Sequence, residues 1–252
     1  MNIRFDGRVV LVSGAGHGIG RAIAATFANL GAIVHACDLR AEPLAETARL
    51  TGATPMVVDL ADRPAATSWV RDVEQATGQA AYALVNNAGG VAGQVMRPLD
   101  EVSDDDWDRV FAVNVGAAMA LSRAVAPGMK KAGAGRIINI SSGAGLQASL
   151  TGIQAYCAAK HAVVGLTRQL AHEFGPFGIT VNSVAPGFIR SNPSSELQWE
   201  SYGPDGQAAL VQRIALQRLG TAQDIANAVL FLASDLAAWI SGQVIPVDGG
   251  RS

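Results

Sequence analysis

The sequence predicts an α/β fold: a doubly wound, seven-stranded parallel sheet with helices on both faces, in a single domain spanning residues 1–252. Three observations carry this. Short runs rich in Val, Ile, Leu and Ala alternate with longer stretches of helical periodicity from end to end. The short runs show no polar alternation, as expected of strands covered on both faces. No linker, repeat or low-complexity segment interrupts them, and strict alternation of strand and helix winds parallel strands into one sheet.

Taken in order, residues 9–12 read as a strand, followed by a Gly-rich turn and a helix over 19–30. A strand at 33–37 leads into a helix at 43–50, and a third strand at 55–58 into a helix at 65–77. The fourth strand is 82–85. A long helical region covers 104–131, and a fifth strand covers 136–140. The pattern continues with a helix at 154–174, a sixth strand at 180–184, helices at 206–217 and 222–232, and a closing strand at 242–247. The least regular stretch, 187–205, carries Pro and Gly breakers with Trp199 and Tyr202. A long loop in a compact domain is often a lid, and the expected substrate loop spans about 187–215.

With 49% hydrophobic and 16% charged residues and a net charge of -2, the chain has a globular composition. No basic stripe points to nucleic acid. Its two cysteines, Cys37 and Cys157, form no CxxC and no metal cluster, which favours a reducing cytoplasm and no metal site. The run at 9–12 is too brief for a signal-peptide core or a membrane span, so no membrane partner is expected.

Function starts at the turn Ser13-Gly14-Ala15-Gly16-His17-Gly18-Ile19-Gly20, which follows the first strand and opens the first helix. Glycine permits a tight turn and the close approach of a pyrophosphate, and the helix N-terminus offers free N–H groups. Asp38 ends the second strand. A carboxylate there accepts from both adenosine ribose hydroxyls and repels a 2′-phosphate, which favours NAD over NADP. Arg40 and His17 are the residues that could instead approach a phosphate.

Tyr156 and Lys160 stand four apart, on one face of a helix. A free Tyr, with a pKa of about 10, is a poor base at neutral pH, and a nearby ammonium lowers that pKa. Ser142 follows the fifth strand, and Asn87 ends the fourth.

These motifs together resemble the short-chain dehydrogenase/reductase family over essentially the full length. They are the Gly14–Gly20 turn, Asp59-Leu60, Asn86–Gly89, Asn114, Ser142, Tyr156-x-x-x-Lys160 and Pro186-Gly187. The resemblance implies a Rossmann fold and hydride transfer between nicotinamide and an alcohol or ketone carbon. It implies that Tyr156 exchanges the proton, Lys160 lowers its pKa and bonds the nicotinamide ribose, and Ser142 holds the substrate oxygen. Asn114 would anchor a water relaying protons to Lys160. Asp59 and Leu60 would approach the adenine, Asn87 and Gly89 the adenosine ribose side, and Pro186, Ile189 and Ser191 the carboxamide. Ser13 and Ser191 stand where the family commonly has Thr. The gap from Ser142 to Tyr156 is one residue longer than typical, so either Ser141 or Ser142 could hold the substrate. Aligning Gly145 with the family's glycine after the serine favours Ser142.

Gln94, Gln147, Gln154, Asn192, Trp199 and Tyr202 are candidate substrate contacts. The expected substrate is a secondary alcohol such as a sugar, polyol or small hydroxy compound, with aryl and alicyclic alcohols close behind. The rival within the family is an NADPH-dependent 3-oxoacyl thioester reductase. Asp38 speaks against its cofactor. The rival from another class is a non-catalytic NAD-binding sensor or scaffold. The helix over 155–170 is apolar around much of its circumference, which suggests a subunit interface, and the resemblance implies a homotetramer.

Overall fold

A computed structural model describes residues 3–251. Seven strands form one sheet: β1 (Val9–Ser13), β2 (Ile33–Asp38), β3 (Thr54–Val57), β4 (Ala83–Asn86), β5 (Gly135–Ile140), β6 (Ile179–Pro186) and β7 (Val244–Val247). Their order is β3-β2-β1-β4-β5-β6-β7, and every neighbouring pair is parallel. The winding reverses between β1 and β4. Connections there leave in opposite directions and open a crevice at the carboxyl ends of the strands.

The helices α1 (Gly18–Asn29), α2 (Ala41–Thr51) and α9 (Ala222–Ala233) cover one face of the sheet. The other face is covered by α3 (Arg63–Thr77), α5 (Ala117–Ala132) and α6 (Gln154–Phe174). Successive strand residues point to opposite faces. Val10 and Val12 pack with Ile23, Phe27, Ile225 and Leu232, whereas Val9 and Leu11 pack with Trp69, Leu121, Met129 and Phe174. Both sets are buried, which is why the strand runs are continuously apolar.

The long helical region is continuous but not uniform. It begins as α4 (Asp104–Phe111), widens into a π-helical segment at Ala112–Gly116, and resumes as α5. By length and composition it could cross a membrane, yet Val110, Leu121, Val125 and Met129 are buried in the protein interior.

The stretch read as irregular departs from expectation. It contains α7 (Pro193–Ser201), followed by α8 (Gly203–Gln212) where a helix over 206–217 was expected. Asn192 starts α7 through a capping box with Ser195, and Pro193 fits the first turn, where its missing N–H costs nothing. The chain leaves α8 early because Ile214 pairs with Arg251 in an antiparallel bridge.

Trp69 is 2% exposed and fills the space between α3 and the sheet. Its replacement by Ala should cost about 3–5 kcal/mol of stability. Urea unfolding followed by circular dichroism measures this. A loss below about 1 kcal/mol would show that α3 is not anchored by this side chain.

Candidate active site

The Gly-rich turn lies where β1 passes into α1. Gly18 has φ +53, and a Cβ there would collide with the carbonyl oxygen of Ser191. A Cβ on Gly14 would sit 2.7 Å from Ala88 Cα. The close approaches therefore tie the turn to β4 on one side and to the segment after β6 on the other. Asp38 Oδ2 accepts from Gly16 N at 2.9 Å, and its Oδ1 accepts from Arg40 N at 3.0 Å. A carboxylate has about four acceptor positions, so roughly two remain for further donors.

Four side chains brace this turn; the sequence singles out Ser13 and Asn87 but not this role for them, and it singles out neither Arg21 nor Thr47. The buried Ser13 hydroxyl donates to Val85 O at 3.1 Å and accepts from Asn87 N at 3.0 Å. Asn87 Nδ2 donates to the carbonyls of Ser13 and Gly14 at 3.0 and 2.9 Å. Arg21 donates to Gly16 O at 2.6 Å, while the buried Thr47 hydroxyl donates to Ala15 O at 2.8 Å. Asn87 thus commits its side-chain NH2 to the turn itself. The retained hydroxyl at Ser13 was the readable signal; a Thr inside α2 gave none.

Asn114 lies in the π-helical segment and is 2% exposed. Its Nδ2 donates to Val110 O and to Gly90 O, both at 2.8 Å, and its Oδ1 accepts from Gly90 N at 3.0 Å. The long helix is thereby fastened to the loop after β4. A Cβ on Gly89 would lie 2.5 Å from Asn114 Oδ1 and 3.3 Å from Lys160 Nζ, so these three residues meet.

On α6, the buried Lys160 Nζ donates to Ile140 O at 2.9 Å. Its ammonium lies 5.7 Å from the centre of the Tyr156 ring, one turn earlier. The Tyr156 hydroxyl is within hydrogen-bonding reach of Ser142. Ser142 Oγ also accepts from Ala144 N at 3.1 Å, whereas the buried Ser141 hydroxyl donates to Val184 O at 3.2 Å. Ser142, Tyr156 and Lys160 therefore converge at the end of β5, beside the crevice.

The remaining candidates are more dispersed. Asp59 accepts from Ala61 N at 2.9 Å, and Leu60 is buried in the core. Pro186 ends β6, Ile189 is bridged to Gly220, and Ser191 N donates to Ser195 Oγ at 2.9 Å. The Asn192 side chain caps α7. Gln154 donates to Arg97 O at 3.0 Å, and Gln147 is exposed. Gln94 is buried, and its Nε2 has no hydrogen-bond partner among the described residues. Trp199 stacks on Phe188 with ring centres 6.0 Å apart, and Tyr202 lies 5.9 Å from the same ring. Both aromatics are half-buried rather than fully exposed.

Residues 14–252 match the family described as Enoyl-(Acyl carrier protein) reductase. The chain is 41% identical over 251 residues to the 3-oxoacyl-(acyl-carrier-protein) reductase FabG of Pseudomonas aeruginosa, covering 97% of each chain. It belongs to the short-chain dehydrogenase/reductase family. This dehydrogenase/reductase is also 38% identical over 262 residues to 2-(S)-hydroxypropyl-CoM dehydrogenase 3 of Xanthobacter autotrophicus, covering 100% of this chain and 99% of that one. The solved structure of levodione reductase is similar, with a TM-score of 0.90, 31% identity and 98% coverage of both chains.

Short-chain dehydrogenase/reductases bind a nicotinamide cofactor, and the donor set here fits one. The start of α1 presents amides without intrahelical partners, next to a turn whose glycines leave no side chain in the way. Asp38 has acceptor capacity to spare. Among the described residues Lys160 engages one acceptor, although an ammonium has three N–H bonds to give.

Burial shapes the charges in this dehydrogenase/reductase. The Lys160 ammonium is lowered by desolvation to about 8. Burial raises the Tyr156 phenol, opposed in part by the hydrogen bond with Ser142. The sequence predicts a Tyr lowered by its neighbouring Lys; desolvation of the phenol raises it instead. His17 is held below its usual value, first by burial and then by the Arg40 charge.

A depressed Lys makes stability depend on pH. Above about 8 the folded protein sheds a proton that the unfolded chain keeps, so this group adds stability as pH rises towards its unfolded value of 10.5. The increment should approach ~3 kcal/mol. Lys160→Met should remove that rise when unfolding free energies are compared between pH 7.5 and 10. Parallel curves for the two proteins would contradict the burial argument.

Proposed function

We infer that this protein is an NAD(H)-dependent oxidoreductase interconverting a secondary alcohol and its ketone, with Tyr156 as acid/base. The observation that carries this is the convergence of the Tyr156 phenol, the Ser142 hydroxyl and the buried Lys160 ammonium at the end of β5. When bound, the nicotinamide supplies the hydride acceptor or donor. Ser142 holds the substrate oxygen, since the Ser141 hydroxyl is committed to Val184. Tyr156 takes the hydroxyl proton in oxidation and returns it in reduction. Lys160 favours the phenolate electrostatically. Asn114 fixes the loop at Gly90 against the helix that faces Lys160. Ser142 and Tyr156 polarise the oxygen together, so the step calls on no metal and should survive EDTA.

Positioned proton transfer is worth ~10²–10⁴ in rate. Tyr156→Phe should lower turnover by that factor and leave NADH affinity, read by fluorescence titration, nearly unchanged. Equal loss of NADH binding would move Tyr156 from proton transfer to cofactor anchoring. A wild-type protein that bound NADH but turned over no alcohol or ketone would instead favour the sensor reading.

Asp38 supports NAD over NADP, because a 2′-phosphate beside that carboxylate would be repelled. The expected preference is tenfold or more in kcat/KM. Asp38→Ser should shrink it about tenfold, with Arg40 and His17 left to meet the phosphate. An unchanged ratio would show that selectivity lies elsewhere. The second reading, a 3-oxoacyl thioester reductase, is favoured by the 41% identity to FabG. Faster reduction of acetoacetyl-CoA with NADPH than of simple ketones with NADH would establish it.

The segment over 187–215, with its Phe188, Trp199 and Tyr202 cluster, is proposed to cover the substrate. A soluble cytoplasmic homotetramer is proposed as the assembly. It is supported by the groove between α5 and α6, where Met119, Leu166 and Leu170 remain partly uncovered.

A further inference from the structure

Arg251 follows β7 on a short tail that folds back towards the site. The tail is held by main-chain bonds: Ala215 N and Leu216 N donate to Gly250 O and Gly249 O at 3.3 and 3.1 Å. Asp248 Oδ1 accepts from the amides of Gly250 and Arg251 at 3.0 and 3.4 Å. None of these contacts uses the guanidinium. That group extends to the segment carrying Ser142, where its Nη1 lies 4.0 Å from the position of a Cβ on Gly143. Pro186 O lies 3.7 Å from the same position, and Gly143 itself places no side chain there.

The Nε of Arg251 is buried and has no hydrogen-bond partner among the described residues. A cationic donor shielded from water and unmatched by protein is costly. Its planar fork suits a carboxylate or related oxyanion. Gly143 adjoins Ser142, and neighbouring Cα atoms are about 3.8 Å apart. An anion held by Arg251 would therefore sit only a few bonds from an oxygen held by Ser142.

We propose that Arg251 is a substrate-specificity residue that binds an anionic group close to the reacting carbon, so that the preferred substrates are short hydroxy or oxo acids rather than neutral alcohols. This rests on the hydride-transfer reading for the identity of the reacting carbon, but not for the anion site itself. Carboxylate and sulfonate share the required oxyanion chemistry, and paired probes separate them.

The experiment titrates the full chain, loaded with NADH, with 3-oxobutanoate, 2-oxopropane-1-sulfonate and methyl 3-oxobutanoate. Calorimetry reads binding, and NADH absorbance reads reduction in parallel. At least one anion should bind tenfold or more tighter than the ester, and its affinity should fall with added salt. Arg251→Gln should abolish that preference and leave the ester's constants within about twofold; Arg251→Lys, which keeps the charge but loses the fork, should fall between. Equal binding of acid and ester by the wild type, or a preference that persists in Arg251→Gln, would overturn the proposal. Should Arg251→Gln not fold, the salt dependence and Arg251→Lys decide it. Selective anion binding without reduction of any probe would leave the anion site standing and count against the hydride-transfer reading. Reduction of all probes without charge preference would do the reverse.

Discussion

The bond from the Lys160 ammonium to the carbonyl of Ile140 fixes the geometry of this site. It ties the second turn of α6 to the last residue of β5 at 2.9 Å. With that contact in place, Tyr156 lies one turn earlier on α6, against Ser142, which follows β5 by two residues. Burying an ammonium with one protein acceptor is unfavourable, and the depressed pKa of Lys160 expresses that cost. The site thus keeps an ammonium with N–H groups to spare beside the crevice.

A second set of constraints brings the cofactor side to the same edge. Ser13 and Asn87 bind β1 to β4 across the switch point, and Asn114 fastens the following loop to the long helix. Beneath them lies a buried polar ladder: Asn86 donates to Ser122 and Asn139, and Asn139 donates to Thr167. These links join β4, β5, α5 and α6 through side chains, so the carboxyl ends of the central strands hold a common register. The two apolar layers on either face supply the bulk stability, and the polar ladder aligns the strand ends that carry chemistry.

Much of this was legible in the sequence. Continuous apolar runs such as 9–12 announced strands buried on both faces, and the glycines announced the turn, because few other residues tolerate such close approaches. Tyr156, Lys160 and Ser142 were readable as a pattern. Their separation was not, because it depends on how deeply α6 sits against β5. The α7 helix was missed although Asn192-Pro193 is a start signal; breaker residues were read as loop where they served as cap and first turn. The π-helical segment left no trace in composition; it carries Asn114, whose side chain takes the Val110 carbonyl and reaches Gly90. Arg251 was invisible for a similar reason: its relevance comes from a tail that folds back 108 positions along the chain to meet Gly143.

In the proposed reaction, hydride passes from a nicotinamide in the crevice between β1 and β4 to a carbon held at Ser142 and Tyr156. Reduction of a ketone with NADH deuterated at C4, followed by NMR of the alcohol, tests it most directly. Deuterium from one face of the nicotinamide should appear on the carbinol carbon, in a single stereochemical configuration. Alcohol formed with solvent hydrogen on that carbon, or with deuterium in both configurations, would contradict it.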